Sequence, residues 1–181
     1  MRAFSDSVSS GAFVICSQYI TIHAGEAFGL ASIWQAIQFC GAHRIGHATR
    51  LVEDLDASES GGRSPGTLAS YIDDHRICLE MCLSSNVHTG AIEKLEDHPF
   101  PNYLRRRFRV CLNVDNYLMS ATTLTREWWI AQELFDLTLD ELEIIALNGA
   151  KGAFCRHPER LELIEKKILP GFAAARAEET A

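Results

Sequence analysis

Four segments with the composition of β-strands recur at residues 19–24, 44–48, 76–82 and 108–114, each followed by a polar or glycine-bearing loop and then a helix-like pattern. This alternation is the mark of βα units in a parallel sheet, because parallel neighbours need a crossover that returns the chain to the same end. The first helix is legible in Leu30, Ile33, Trp34 and Ile37, which share one face at helical spacing. Leu68, Tyr71 and Ile72 repeat the pattern ahead of the third strand segment. Residues 58–66, rich in Gly and Ser, are expected to form a flexible insertion. Downstream, Thr138 and Glu141 stand as a capping box before Leu142, Ile145 and Ala146. Pro158 opens a last helix carrying Leu161, Ile164 and Ile168 on one face. Gly171 is expected to stop it and residues 173–181 to fray.

Composition narrows the function classes. The 181 residues hold 17 Lys plus Arg against 24 Asp plus Glu, a net charge of −7, the wrong sign for affinity resting on nucleic-acid phosphates. The basic cluster Arg105-Arg106-Arg107 with Arg109 reads as a solvated helix end near C-terminal carbonyls. Six cysteines without a Cys-x-x-Cys read as small buried hydrophobes of a reducing compartment, and the expected location is cytoplasmic. No stretch approaches the roughly 20 apolar residues of a membrane span, and residues 1–18 lack the charged and apolar pattern of a signal peptide.

Chemistry-bearing residues fall near the ends of the strand segments. They are Thr21-Ile22-His23-Ala24-Gly25-Glu26, then Arg44-Ile45-Gly46-His47, Ser84-Ser85-Asn86, and Leu112-Asn113-Val114-Asp115-Asn116. In a parallel barrel the loops at strand C-termini build the pocket, so this coincidence points to one site. Imidazole nitrogen and carboxylate oxygen are both zinc donors. Taken alone, His23 reads as a strand-end histidine bonded to a backbone carbonyl, and Glu26 as a carboxylate at a helix N-terminus. The strand pattern puts Glu80 on the face of Cys78 and Cys82, in a supporting hydrogen bond. His43 reads as a surface residue, and His88, His98 and His157 as structural.

In this order the patches resemble the C-terminal half of the adenosine deaminase family of zinc hydrolases, from about Tyr19 to about Phe172. The run from Leu118 to Glu127 is similar to its bacterial branch. The resemblance implies an α/β fold: the C-terminal half of a TIM (β/α)8 barrel, about four parallel strands with helices in an incomplete barrel. A divergent segment 1–18 would precede the half-barrel 19–172, and a frayed tail 173–181 would follow. It also implies that His23 and Asp115 ligate zinc, and that Glu26 protonates the purine ring at N1. His47 would orient and deprotonate the attacking water, and Asn116 would offer its carbonyl oxygen to purine N7. An acid that donates near neutral pH needs an apolar enclosure, which Ala24, Ala27 and Phe28 permit. Ala48 stands where the family pattern has glycine, at a cost if the position needs positive φ. The other zinc-deaminase pattern, His-x-Glu with Pro-Cys-x-x-Cys, is absent.

The implied activity is zinc-dependent hydrolytic deamination of adenosine or deoxyadenosine. The family draws two further zinc ligands from a His-x-His pair on its first strand, and no such pair occurs in these residues. The chain alone is therefore expected to be inactive, and to self-associate or to need a polypeptide carrying the other half. Two other readings stay open: a non-catalytic fragment or interaction module, and a deaminase of adenine or another 6-aminopurine.

Overall fold

The structure is a computed structural model and describes residues 19–59 and 66–179. Its centre is one sheet of four strands: β1 (Thr21–Ala24), β2 (Arg44–His47), β3 (Cys78–Met81) and β4 (Val110–Leu112). They lie in the order β1-β2-β3-β4 and every pairing is parallel. The βα alternation expected from the sequence is the architecture found, although each strand is shorter than its apolar run. Among the described residues β1 and β4 pair on one side only.

Register decides which residues share a face. His23 pairs with Gly46, Gly46 with Glu80 and Glu80 with Cys111, so these four form one row across the sheet. Residues one step along, such as Ile45, Leu79 and Val110, point the other way and are fully buried in the hydrophobic core. Burying such a side chain stabilises by about 1.5–3 kcal/mol. The sheet therefore has an apolar face that anchors it and a polar face free for chemistry.

Helices cover the apolar face. α1 (Leu30–Gln38) buries Ile33 and Ile37, two of the positions its spacing marked. α2 (Val52–Glu59) has a weak apolar stripe and was not legible in the sequence. α3 (Thr67–Asp74) buries Leu68 and Ile72. The insertion expected at 58–66 is helical at its start, and residues 60–65 lie outside the described set, as does segment 1–18. Ser84, Ser85 and Asn86, expected in a loop, belong to the short α4 (Leu83–His88) and are buried. Then come α5 (Phe100–Arg105), α6 (Leu124–Phe135) and α7 (Leu139–Gly152). The Thr138–Glu141 capping box is formed at the start of α7. Arg105 does serve a helix C-terminus, but that of α6, donating to Phe135 O at 3.0 Å. The cysteines are less uniformly buried than expected, since Cys40 is exposed and Cys155 intermediate.

The C-terminal segment corrects one expectation. α8 (His157–Leu163) runs through a π-helical turn, Ile164–Ile168, into α9 (Leu169–Glu179), so Gly171 does not stop the helix and the tail is helical to Glu179. The π-turn has a local cause. Pro170 has no N–H and its ring crowds the carbonyl one turn back, so the preceding turn widens and Leu169 N–H bonds Ile164 O. Arg176 then ties the tail to α7 by donating to Asp140 Oδ1 at 2.6 Å.

Candidate active site

His23 sits within β1, whereas Glu26, His47 and Asp115 are delivered where the backbone leaves regular strand geometry. Gly25, with φ +69°, turns the chain between His23 and Glu26. A Cβ there would stand 2.6 Å from Ile33 Cδ1, so the residue must be glycine for space as well as conformation. His47 has φ 70° and Asp115 φ 58°, and Ala48 follows His47 at φ 51°. Left-handed non-glycine residues cost of order 1–3 kcal/mol each and collect where surrounding contacts hold them for a purpose. The cost foreseen for Ala48 is real. It is held by Ala48 N–H donating to Ala24 O at 3.0 Å and by Tyr103 Oη donating to Ala48 O at 3.1 Å.

His23, Glu26 and His47 converge, their ligand-type atoms lying within 4.8 Å of one another. The two imidazoles meet nearly at right angles, 87° between planes, with His47 Nε2 3.2 Å from His23 Nδ1. His47 Nε2 is 3.5 Å from Glu26 Oε2. His23 and His47 line a cavity of about 330 Å³ together with Glu80, Asp115 and Tyr117. Asp115 is thus in the same cavity without joining the tight cluster; its Oδ2 accepts from Ser85 Oγ at 2.7 Å. Glu26 opens instead on a second cavity of about 190 Å³ with Thr89.

The remaining contacts fix orientation. Glu26 Oε1 accepts from Asn86 Nδ2 at 3.0 Å and from Thr89 Oγ1 at 2.9 Å. Phe28 is 76% exposed, so Glu26 is enclosed by these polar partners and not by the apolar neighbours the sequence offered. His47 is buried, and burial pushes its pKa below the ordinary histidine value against the raising influence of the Glu26 carboxylate. Asn116 departs from expectation. Its Oδ1 accepts from the N–H groups of Leu118 and Met119, at 3.0 and 2.9 Å, in a local turn, so the carbonyl is committed and only the amide NH2 is left to offer. Glu80 pairs with Arg44 and accepts from Thr21 Oγ1 at 3.1 Å.

Sequence reasoning gave no role to Thr89, Ser85 or Asn86 individually, and set His98 aside. His98 is buried in the same network, with Nε2 3.1 Å from Asn86 Oδ1. The cap-like His-Pro-Phe context hinted only at its local bond, from Phe100 N–H to Nδ1. The donor set fits a divalent metal in part. His23 Nε2 and Asp115 Oδ1 make no hydrogen bond among the described residues, so each keeps an uncommitted ligand atom, yet two such ligands fall short of the three a catalytic zinc usually has.

A parallel α/β sheet that gathers imidazole, carboxylate and amide groups at its strand C-termini is the working end of a barrel-type enzyme. Residues 3–168 match the profile of the adenosine deaminase family, and the chain belongs to that family. It is 46% identical over 162 residues to an adenosine deaminase of Streptomyces coelicolor, covering 90% of this chain and 41% of that protein. It is 50% identical over 153 residues to one of Mycolicibacterium gilvum, covering 84% and 42%. The match begins upstream of Tyr19, where the quoted motifs start. The chain thus spans about two-fifths of the length of these curated relatives. Among solved structures, the adenine deaminase of Arthrobacter aurescens superposes with a TM-score of 0.72 at 24% identity, covering 81% of this chain and 42% of that one. An amidohydrolase of Burkholderia ambifaria with bound Zn gives 0.74 at 16%, covering 88% and 42%. Both establish the fold: four consecutive βα units of an incomplete barrel. No helix among the described residues is long and apolar enough to cross a membrane.

Proposed function

We propose that residues 19–172 supply the C-terminal half of a zinc-dependent hydrolytic deaminase, acting in the cytoplasm on adenosine or deoxyadenosine in purine metabolism. The observation that carries this reading is the convergence of His23, Glu26 and His47 within 4.8 Å, beside a cavity shared with Asp115. The 46–50% identity to proteins named adenosine deaminase favours the nucleoside over the free base. His23 and Asp115 would hold the zinc, with further ligands from a His-x-His outside these residues. When bound, zinc supplies a Lewis acid that makes water nucleophilic near neutral pH.

The chain's own groups divide the remaining work. Glu26 Oε1 is saturated by Asn86 and Thr89, so an acidic proton belongs on Oε2, the oxygen nearer His47, for delivery to purine N1. His47 holds the attacking water. Purine N7 is an acceptor, and the amide NH2 that Asn116 keeps is the donor it requires, so Asn116 acts through nitrogen and not through oxygen.

The test is conversion of adenosine to inosine, followed by ultraviolet absorbance with zinc present. The chain is assayed alone, with a polypeptide supplying the first four strands of a relative, and as Glu26→Gln in that mixture. Turnover only in the mixture, abolished by Glu26→Gln, is the expected result. No turnover in a stable, zinc-loaded mixture would overturn the proposal.

A further inference from the structure

A chain of buried hydrogen bonds runs from one backbone N–H to the site, and its directions can be assigned without choice. Phe100 N–H donates to His98 Nδ1 at 3.1 Å. A backbone amide cannot accept, so Nδ1 holds the lone pair and a neutral His98 carries its proton on Nε2. That Nε2–H must donate to Asn86, so the atom it meets at 3.1 Å is the carbonyl Oδ1. The Asn86 amide is thereby fixed against flipping. Its two N–H bonds go to Glu26 Oε1 and His47 Nδ1, each at 3.0 Å. His47 Nδ1 is then an acceptor, so neutral His47 has its proton on Nε2, facing His23 and Glu26.

We infer that His98 is a positioning residue: through Asn86 it sets the tautomer of His47, so that the ring meets the cavity with an N–H and not with a lone pair. For the catalytic meaning of that tautomer the inference rests on the proposed function, and it corrects one role the resemblance implied: an Nε2–H holds the attacking water by donating to it and cannot deprotonate it. Geometry and burial support it. Asn86, His47 and His98 are 0%, 1% and 2% exposed, so no solvent stands ready to replace a lost partner, and a reversed amide would leave buried groups unpaired. His98 also keeps its neutral form, because burial and then the neighbouring His47 push its pKa down to about 3. Glu26 Oε1 accepts from the same amide and favours the same orientation, so the part that His98 plays is read in Glu26→Gln, where the new amide can present either oxygen or nitrogen. His98 is anchored to the backbone and does not change.

The experiment reads the tautomer directly, independently of any turnover. Long-range proton–nitrogen correlation spectra are recorded on the ¹⁵N-labelled full chain at about pH 8, above the ordinary histidine range. The His47 signals are assigned by their loss in His47→Gln. The chain with its native residues and the Glu26→Gln variant should both show pyridine-type Nδ1 and pyrrole-type Nε2. Adding His98→Leu to Glu26→Gln should convert this to a tautomer mixture. Adding His98→Gln, which keeps an N–H donor at the reach of Nε2, should restore the single form. If His98→Leu does not fold, His98→Asn, too short to reach Asn86 Oδ1, replaces it. A pyrrole-type Nδ1 in native His47, or a single unchanged tautomer after the donor is lost, would overturn the inference. Neither result depends on whether the proposed deamination occurs.

Discussion

Gly46 lies directly beneath the imidazole of His23: a Cβ at position 46 would stand 2.9 Å from His23 Cδ2. The two residues are register partners on adjacent strands, so the absent side chain is the space in which the ring rests. Gly46→Ala should push the ring aside by several tenths of an ångström. His23 is exposed and able to swing, so the stability cost should fall at the low end of overpacking, about 1 kcal/mol. If His23 ligates zinc as proposed, its displacement is more serious, since ~1 Å can cost about 100-fold in rate. Parallel measurement of urea midpoints and of turnover in the complemented enzyme should show a large loss of rate with a small loss of stability. Equal, large losses in both would contradict this assignment.

Ala48 explains how a methyl group survives where the family pattern has glycine. Its left-handed backbone costs ~1–2 kcal/mol. The fully buried methyl returns ~0.8 kcal/mol, and a glycine would lose a further ~0.5–1 in chain entropy. The terms nearly cancel, so Ala48→Gly should change stability by less than about 1 kcal/mol. Ala48→Val, β-branched at positive φ with no free space, should lose about 3 kcal/mol or more. Chemical denaturation of both variants checks the pair.

Stability should decline as acid is added. His98 titrates at about 3 when folded and at ~6.5 when unfolded, so between these values the unfolded chain binds more protons. Its contribution to stability is therefore lost as pH falls below ~6.5, at up to ~1.4 kcal/mol per pH unit. His47, also pushed down by burial, acts with the same sign. Urea midpoints across this range should fall less steeply for His98→Gln than for the native chain, and identical slopes would refute the account.

Glu127 is a fully buried carboxylate on α6 that accepts from Ser84 N–H at 3.0 Å and Thr122 Oγ1 at 2.6 Å. It ties α6 to the first turn of α4, the helix that presents Ser85 and Asn86. Glu127→Ala strands a buried N–H and should cost about 3 kcal/mol, while Glu127→Gln keeps an acceptor and should cost about 1. Thermal unfolding distinguishes the two.

Sheets with unpaired edges recruit other strands. Since β1 and β4 each lack a neighbour among the described residues, the chain should assemble with itself as concentration rises. Adding the complementary half should suppress this. Sedimentation velocity of the chain alone, showing one monomeric species at all concentrations, would be the contrary result.

The sequence exposed most where the physics is local and periodic. The spacing of Leu30, Ile33 and Ile37 is a helical face whatever it packs on, and Thr138 with Glu141 caps a helix within four residues. The site was legible as a set of strand ends, because each patch adjoined its own apolar run. Its wiring was not. His98 and Asn86 stand 12 residues apart, and Asn86 and Glu26 stand 60 apart, so only the tertiary fold makes them neighbours. Asn116 misled for the opposite reason, since its oxygen is claimed by N–H groups two and three residues on. Gly171 failed as a stop because a glycine breaks a helix only when nothing holds the chain beyond it, and Arg176 does.

The widened turn at Ile164–Ile168 works as a phase shifter. One residue beyond the α-helical repeat rotates everything after it by about 100°. α9 therefore presents to α7 a side that the numbering of α8 would not foretell. Arg176 reaches Asp140 on that rotated side. Deleting a single residue within the turn would return it to the α-helical repeat and leave Arg176 facing its partner, whereas the same deletion in α8 or early in α9 would aim Arg176 a quarter-turn away. Along the helix a one-residue indel is a rotation, and the widened turn is the one place that can absorb it.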